Sequence, residues 1–143
     1  MTPAVEIAQF LADEGVGERG GSSRWSIHVS REPTSPDDVI TLYDTGGPPP
    51  VAIDVNLRAH TIQVRVRSKD YVEGAETQNS IFTLLAQPDA VVDGLPLERS
   101  IGKHRYTGMW LTSEIMYIGR DDNDRFLFTA NYEVHRQPLE GQS

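Results

Sequence analysis

The sequence contains no cysteine. Disulfides, thiolate nucleophiles and cysteine-ligated zinc or iron–sulfur centres are therefore excluded, and the chain suits a reducing compartment. Long apolar runs are also missing. No stretch approaches eighteen residues, so no membrane-spanning helix is expected. The first twenty positions carry Glu6, Asp13, Glu14 and Glu18 and no continuous apolar segment, so they are not expected to act as a signal peptide. Cations are scarce as well: 13 Lys and Arg stand against 21 Asp and Glu, a net charge of −8. Holding nucleic acid draws on cations that neutralise phosphates, so this balance argues against a nucleic-acid-binding role.

What is present reads as one folded unit. The 143 residues fit a single domain over 1–143, and a 38% hydrophobic content is enough for a core. Thr2 and Pro3 form a helix start, as cap and first-turn proline. Ala4, Ile7, Ala8 and Leu11 follow at i, i+3, i+4 and i+7, and Gly15 is a natural stop. Val5 and Phe10 lie off that stripe: they either form a second, partner-facing surface or, on the simpler reading, widen the core face. Residues 15–23 are glycine-rich and are expected to be a flexible loop.

Trp25, Ile27 and Val29 alternate with Ser26, His28 and Ser30, predicting a half-buried strand. Val39 to Tyr43 predicts a second strand. It ends in Asp44, Thr45, Gly46, Gly47, Pro48, Pro49 and Pro50, a stiff extended loop over 44–52. Ile62, Val64 and Val66 alternate with Gln63, Arg65 and Arg67 in a third strand over His60–Ser68.

Asp70 with Glu73 resembles a capping box opening a second helix, with Tyr71, Ala75, Phe82 and Leu85 as its stripe, widened by Ile81 and Leu84. Pro88 ends it. Residues 89–105 are irregular, with a short strand near Leu95 and Leu97. Met109–Ile118 predicts a long strand. A polar turn over Gly119–Asp124 leads into the strict alternation of Phe126, Phe128, Ala130, Tyr132 and Val134, and the two strands form a hairpin. Asn123 suits a positive-φ turn position. Residues 137–143 are expected to be a disordered tail. The expected fold class is α+β: a mostly antiparallel sheet of about five to six strands, with two helices packed on one face.

Complete chemical signatures are missing. The glycines of 15–23 lack both the dinucleotide fingerprint and the Lys-Ser/Thr of a phosphate loop. His28, His60, His104 and His135 fall in no zinc spacing. Asp121, Asp122 and Asp124 resemble a calcium loop, but Arg125 stands where a ligand is needed and no glycine follows, so a solvated turn is the simpler reading. No serine elbow occurs. The chain is therefore read as a non-enzyme with no catalytic residues, metal or cofactor. Arg65 and Arg67 share one strand face, flanked by Arg58 and Lys69. Without interleaved aromatics this stripe suits contact with an acidic protein surface, or solvent, better than nucleic acid.

Several segments together resemble a known family. They are the order of elements, the Tyr43-to-Pro48 turn, the Ile62–Arg67 strand running into Tyr71–Ala75, and the Ile118–Arg125 hairpin followed by Phe128–Val134. Over roughly residues 3–136 the chain resembles the tail-terminator and minor capsid (head–tail joining) proteins of long-tailed bacteriophages. The resemblance implies a structural protein rather than an enzyme. It would assemble as a homo-oligomeric, six-membered ring on the tail tube protein, stop tube polymerisation and offer a surface to head connector proteins. DNA would pass through the ring without specific binding, and an acidic chain suits that passage. No membrane is involved. The implied place is the head–tail junction of the virion, with assembly in the host cytoplasm. On this reading the candidate contacts are Asp44, Thr45, Gly46, Gly47, Pro48, Pro49, Pro50, Arg58, Arg65 and Arg67. The alternative is a small ligand-binding or regulatory α+β domain of a bacterial protein.

Overall fold

The computed structural model describes residues 1–20, 24–47, 58–86, 91–92, 95–96 and 99–138. The chain opens with α1 (Pro3–Asp13). Thr2 Oγ1 accepts from the Val5 amide at 3.4 Å and Pro3 occupies the first turn. Ala4, Ile7, Ala8 and Leu11 are fully buried, and Gly15 ends the helix in the left-handed region, at φ 84°. Burying this stripe supplies most of what holds an eleven-residue helix, which would be marginal alone.

Ten strands follow: β1 (Glu18–Arg19), β2 (Ser26–Val29), β3 (Val39–Gly46), β4 (Arg58–Ser68), β5 (Val91–Val92), β6 (Leu95–Pro96), β7 (Arg99–Ile101), β8 (His104–Leu111), β9 (Met116–Arg120) and β10 (Phe126–Pro138). The second helix, α2 (Tyr71–Ala86), lies between β4 and β5. Strands β5 and β6 form a separate small hairpin. The other eight strands make one curled sheet in the order β1-β2-β3-β4-β10-β8-β7, with β9 also pairing β10.

The α+β class holds, but the sheet is larger than expected and mixed, because β1–β2 and β2–β3 are parallel. Residues 30–38 make this possible. They carry the chain back across the face opposite the helices, so β3 re-enters beside β2 in the same direction. Parallel neighbours always need such a crossover. The supposed loop at 15–23 contains β1, with residues 21–23 outside the described set. Gly17 lets β1 approach β2, since a Cβ there would lie 1.9 Å from the Trp25 carbonyl oxygen.

Both helices cover one sheet face. Ile40 pairs across the sheet with Val66 and Val66 with Phe128; Leu42 pairs with Val64 and Val64 with Ala130. Together with the α1 stripe and Ile81 and Leu85 of α2 they form one core. Asp70 Oδ1 accepts from the Glu73 amide at 3.0 Å, capping α2 as expected. The buried stripe, however, is Gly74, Gln78, Ile81 and Leu85 rather than one led by Tyr71, which is 47% exposed. Gly74 sets this rotation: a Cβ there would meet the Phe128 ring at 2.8 Å, so the helix seats its glycine against β10. Arg99 closes the other end, donating to the Leu84 and Leu85 carbonyls at 2.6 and 2.8 Å and placing a cation at the negative end of the helix. Pro88, the expected stop, lies outside the described residues, and α2 ends at Ala86.

The segment 109–118 is not one strand. β8 and β9 lie end to end along the same edge of β10, separated by residues 112–115, with Leu111 opposite Tyr132 and Met116 opposite Thr129. The β9–β10 turn is built by Asp121, whose Oδ1 accepts from the Asn123 and Arg125 amides at 2.9 and 3.0 Å. The positive φ falls on Asp124 (62°), not Asn123. Gln137 and Pro138, expected in the tail, are the last paired residues of β10, and 139–143 lie outside the described set.

Candidate assembly surface

The arginine stripe of β4 is engaged inside the subunit. Arg67 is 3% exposed. Its guanidinium donates to Glu32 Oε1 (3.1 Å), the Pro36 carbonyl (2.7 Å) and the Asp37 carbonyl (3.2 Å). Burial, helped by the nearby Arg125 charge, lowers the Arg67 pKa, and Glu32 opposes that shift. Arg65 Nε lies 2.8 Å from Glu32 Oε2, so one carboxylate bridges both guanidiniums. Arg125 adds a bond to the Thr34 carbonyl at 2.6 Å and another to Asp121 at 2.8 Å. These arginines hold the 30–38 crossover against the sheet. Arg67 is therefore not on the surface where the sequence pattern put it, because alternation tells which sheet face a residue takes and not what covers that face. Arg58 opens β4 opposite Arg136, and its side chain lies outside the described residues.

The Asp44–Pro50 segment is only partly loop. Asp44 Oδ1 accepts from the Ala4 amide at 3.0 Å, supplying a carboxylate to the α1 N-terminus. Thr45 Oγ1 donates to Thr61 Oγ1 at 2.8 Å. Gly46 and Gly47 have φ of 97° and 140°, and a Cβ on Gly47 would strike the Ala59 carbonyl oxygen at 2.7 Å. Pro48, Pro49 and Pro50 lie outside the described residues.

A third cluster has the residue types of an active site but not the access. The Glu6 side chain is fully buried. It accepts from Tyr106 Oη (2.8 Å), Arg136 Nη1 (2.7 Å) and the Lys103 amide (2.8 Å), and His104 Nδ1 lies 3.0 Å away. Burial alone would raise its pKa. The bonds from His104, the Lys103 amide and Tyr106 outweigh that and hold it below the usual carboxylate value. Four polar neighbours saturate the two oxygens, leaving no lone pair directed at a substrate. The cluster ties the first helix to the last strand. Gly102, at φ 62°, permits it: a Cβ there would sit 2.4 Å from Glu6 Oε2. Among the described residues no three His, Asp or Glu are grouped so as to hold a metal ion.

The apolar side chains that do reach solvent are concentrated. Of the large hydrophobics that are exposed among the described residues, all but Met1 lie on the β8–β9 edge or the start of α2: Trp110, Met116, Tyr117, Ile118, Tyr71 and Val72. No described strand pairs with the outer side of β9. Tyr71 joins the two elements, its ring 5.3 Å from Tyr117, 5.6 Å from Phe126 and 5.2 Å from Phe128. Edge-to-face contacts of this kind hold the exposed rings in place. The sequence does carry a signal for this patch, in the three consecutive apolar residues 116–118 beside a polar turn. Period-two and helical patterns assign such residues to a core, so the patch was missed.

The family model for the bacteriophage tail terminator protein matches residues 10–138. A search among curated proteins finds no match. The family match covers most of the chain, and the chain belongs to that family, which makes it a structural component of the end of a phage tail.

Proposed function

We propose that this tail-terminator family member closes the finished tail tube as a ring of identical subunits, six by the family resemblance, halts further tube growth and presents its other face to the head connector. The single observation that carries this reading is the concentration of exposed apolar side chains at the β8–β9 edge of an otherwise acidic surface. Contiguous apolar surface of that kind marks protein contact. A ring closes through heterologous contacts between two different patches of each subunit. Asp44 to Pro50, Arg58 and the partly exposed Arg65 are retained as candidates for one of them.

The cations support passage of DNA without adhesion. Arg24 pairs with Asp38 and Glu73, Arg65 and Arg67 with Glu32, Arg120 with Asp124, Arg125 with Asp121, and Arg136 with Glu6. Six of the 13 Lys and Arg are paired in this way, and the 21 Asp and Glu outnumber the cations as a whole. The small-ligand alternative gains nothing comparable, because the buried polar cluster is saturated from within.

The test is light scattering on a sizing column with negative-stain images of the same peak, followed by co-sedimentation with purified tail tubes. A closed ring, or saturable binding at tube ends, is the expected result. A monomer that also ignores tubes overturns the reading. Assembly takes place in the host cytoplasm on this view, before the head is joined.

A further inference from the structure

We propose that the β9 edge and the first turn of α2 form a docking site for an extended apolar segment of another protein, one that carries Lys or Arg on both flanks. The apolar part of the argument is the Met116, Tyr117 and Ile118 run, 49%, 44% and 44% exposed, with Tyr71 and Val72 beside it. Consecutive residues of a strand point to opposite faces, so three in a row at the surface present an edge that is open from both sides. The pairing with β10 shifts between Leu127 and Phe128, and Gly119 has φ 107°. A bulge of that kind twists an edge and shortens any added ladder. Side-chain burial, with a few backbone bonds, therefore carries the affinity.

Charge selects the occupant. Glu114 lies two residues before β9 and Asp122 two residues after it, and among the described residues neither has an ion pair. Asp70 precedes Tyr71 and caps α2 through its carboxylate. Arg120 is already paired with Asp124 at 2.9 Å, which leaves Lys69 as the opposing cation on this rim. An extended segment laid along β9 brings its two flanks to Glu114 and Asp122, and basic residues suit both. A second copy suits them poorly. Antiparallel pairing of two β9 strands about Ile118 sets Glu114 against Asp122 at both ends, between chains that each carry −8. Like charges placed opposite one another destabilise a strand pair. The inference rests on the assembly reading only in expecting the partner among the tail or head components.

The experiment is fluorescence anisotropy with two labelled peptides that share an alternating valine–tyrosine core, one flanked by lysines and one by glutamates. The Lys-flanked peptide is expected to bind roughly fivefold tighter or more at low salt, with the preference shrinking as salt is added. Tyr117→Asp is expected to weaken it by about tenfold or more, and Glu114→Lys with Asp122→Lys is expected to reverse the preference. Thermal melting checks that each variant folds. Where Tyr117→Asp does not, Met116→Gln with Ile118→Gln takes its place. Equal affinity for the two peptides, binding of neither, or binding indifferent to the β9 variants overturns the proposal. So does self-association of the wild type that Tyr117→Asp abolishes, since the occupant is then a second copy. Peptide discrimination is measured without tubes, so it stands or falls separately from ring formation.

Discussion

The arginine face of β4 and the apolar edge of β9 invert the usual arrangement. Arg67, a charged residue on an alternating strand, is 3% exposed, while Tyr117, an aromatic on a strand of the same sheet, is 44% exposed. The difference lies in what each strand is given to pack against. β4 is central, between β3 and β10, and the 30–38 crossover lies over its polar face with its carbonyls turned inward. Those carbonyls need donors once water is excluded, and a guanidinium supplies several at fixed angles. β9 sits at a margin with β10 on one side and no described strand on the other. Its side chains remain exposed whatever their chemistry. Residue type sets the cost of an environment, and topology decides which environment a residue receives.

The sharpest way to break this comparison is Arg67→Ala. If the buried guanidinium holds the crossover, its loss leaves the Pro36 and Asp37 carbonyls without their donor and Glu32 with Arg65 alone, and urea denaturation is expected to show a loss of about 3 kcal/mol, the scale for breaking one side of a buried charged network. A loss within about 0.5 kcal/mol, the range of an ordinary surface change, would make the face an exposed one after all.

A second test probes the Glu6 cluster, the other place where charge is buried. Its folded-state pKa lies below the ordinary 4.5, so the stability it contributes is fully present above that value and is lost as pH falls through the lower folded value. Glu6→Gln keeps the shape and removes the titration. Thermal melts from pH 7 to pH 3 are expected to show the wild-type advantage shrinking on the acid side, and an advantage independent of pH would contradict the assignment.

The smallest effect concerns Tyr132, whose hydroxyl is buried and has no hydrogen-bond partner among the described residues. Burial pushes its pKa up, consistent with a phenol kept neutral in the core. Tyr132→Phe removes the unsatisfied group and keeps the ring, so stability is expected to stay level or to rise by up to about 1 kcal/mol. A clear drop would mean that the hydroxyl is satisfied after all.

Much of the local structure is legible in the residues. The Ala4–Leu11 stripe, the Asp70 cap, and the alternation of Ile62–Val66 and Phe128–Val134 each mark their elements, because periodicity records which face a strand or helix will bury. The break at 112–115 was hidden, since Met109 to Ile118 is apolar enough to look continuous and only the pairing with β10 reveals two strands. The α2 stripe holds at Ile81 and Leu85 and differs at its start, because glycine carries no hydropathy signal, whereas Gly74 is the position where helix and sheet touch. The order and spacing of short motifs carried the family resemblance, which the match over residues 10–138 bears out.

By itself, then, the sequence determined the α+β class, the absence of thiol chemistry and the acidic balance, all of which follow from composition and from short-range periodicity. Only the tertiary structure decided that β1, β2 and β3 run parallel, that Arg67 is buried beneath the crossover with Arg65 pairing Glu32 at its rim, and that Met116, Tyr117 and Ile118 face outward. Each of these depends on which distant segment comes to lie beside a residue. Periodicity assigns a residue to a face, and the rest of the chain determines whether that face is covered.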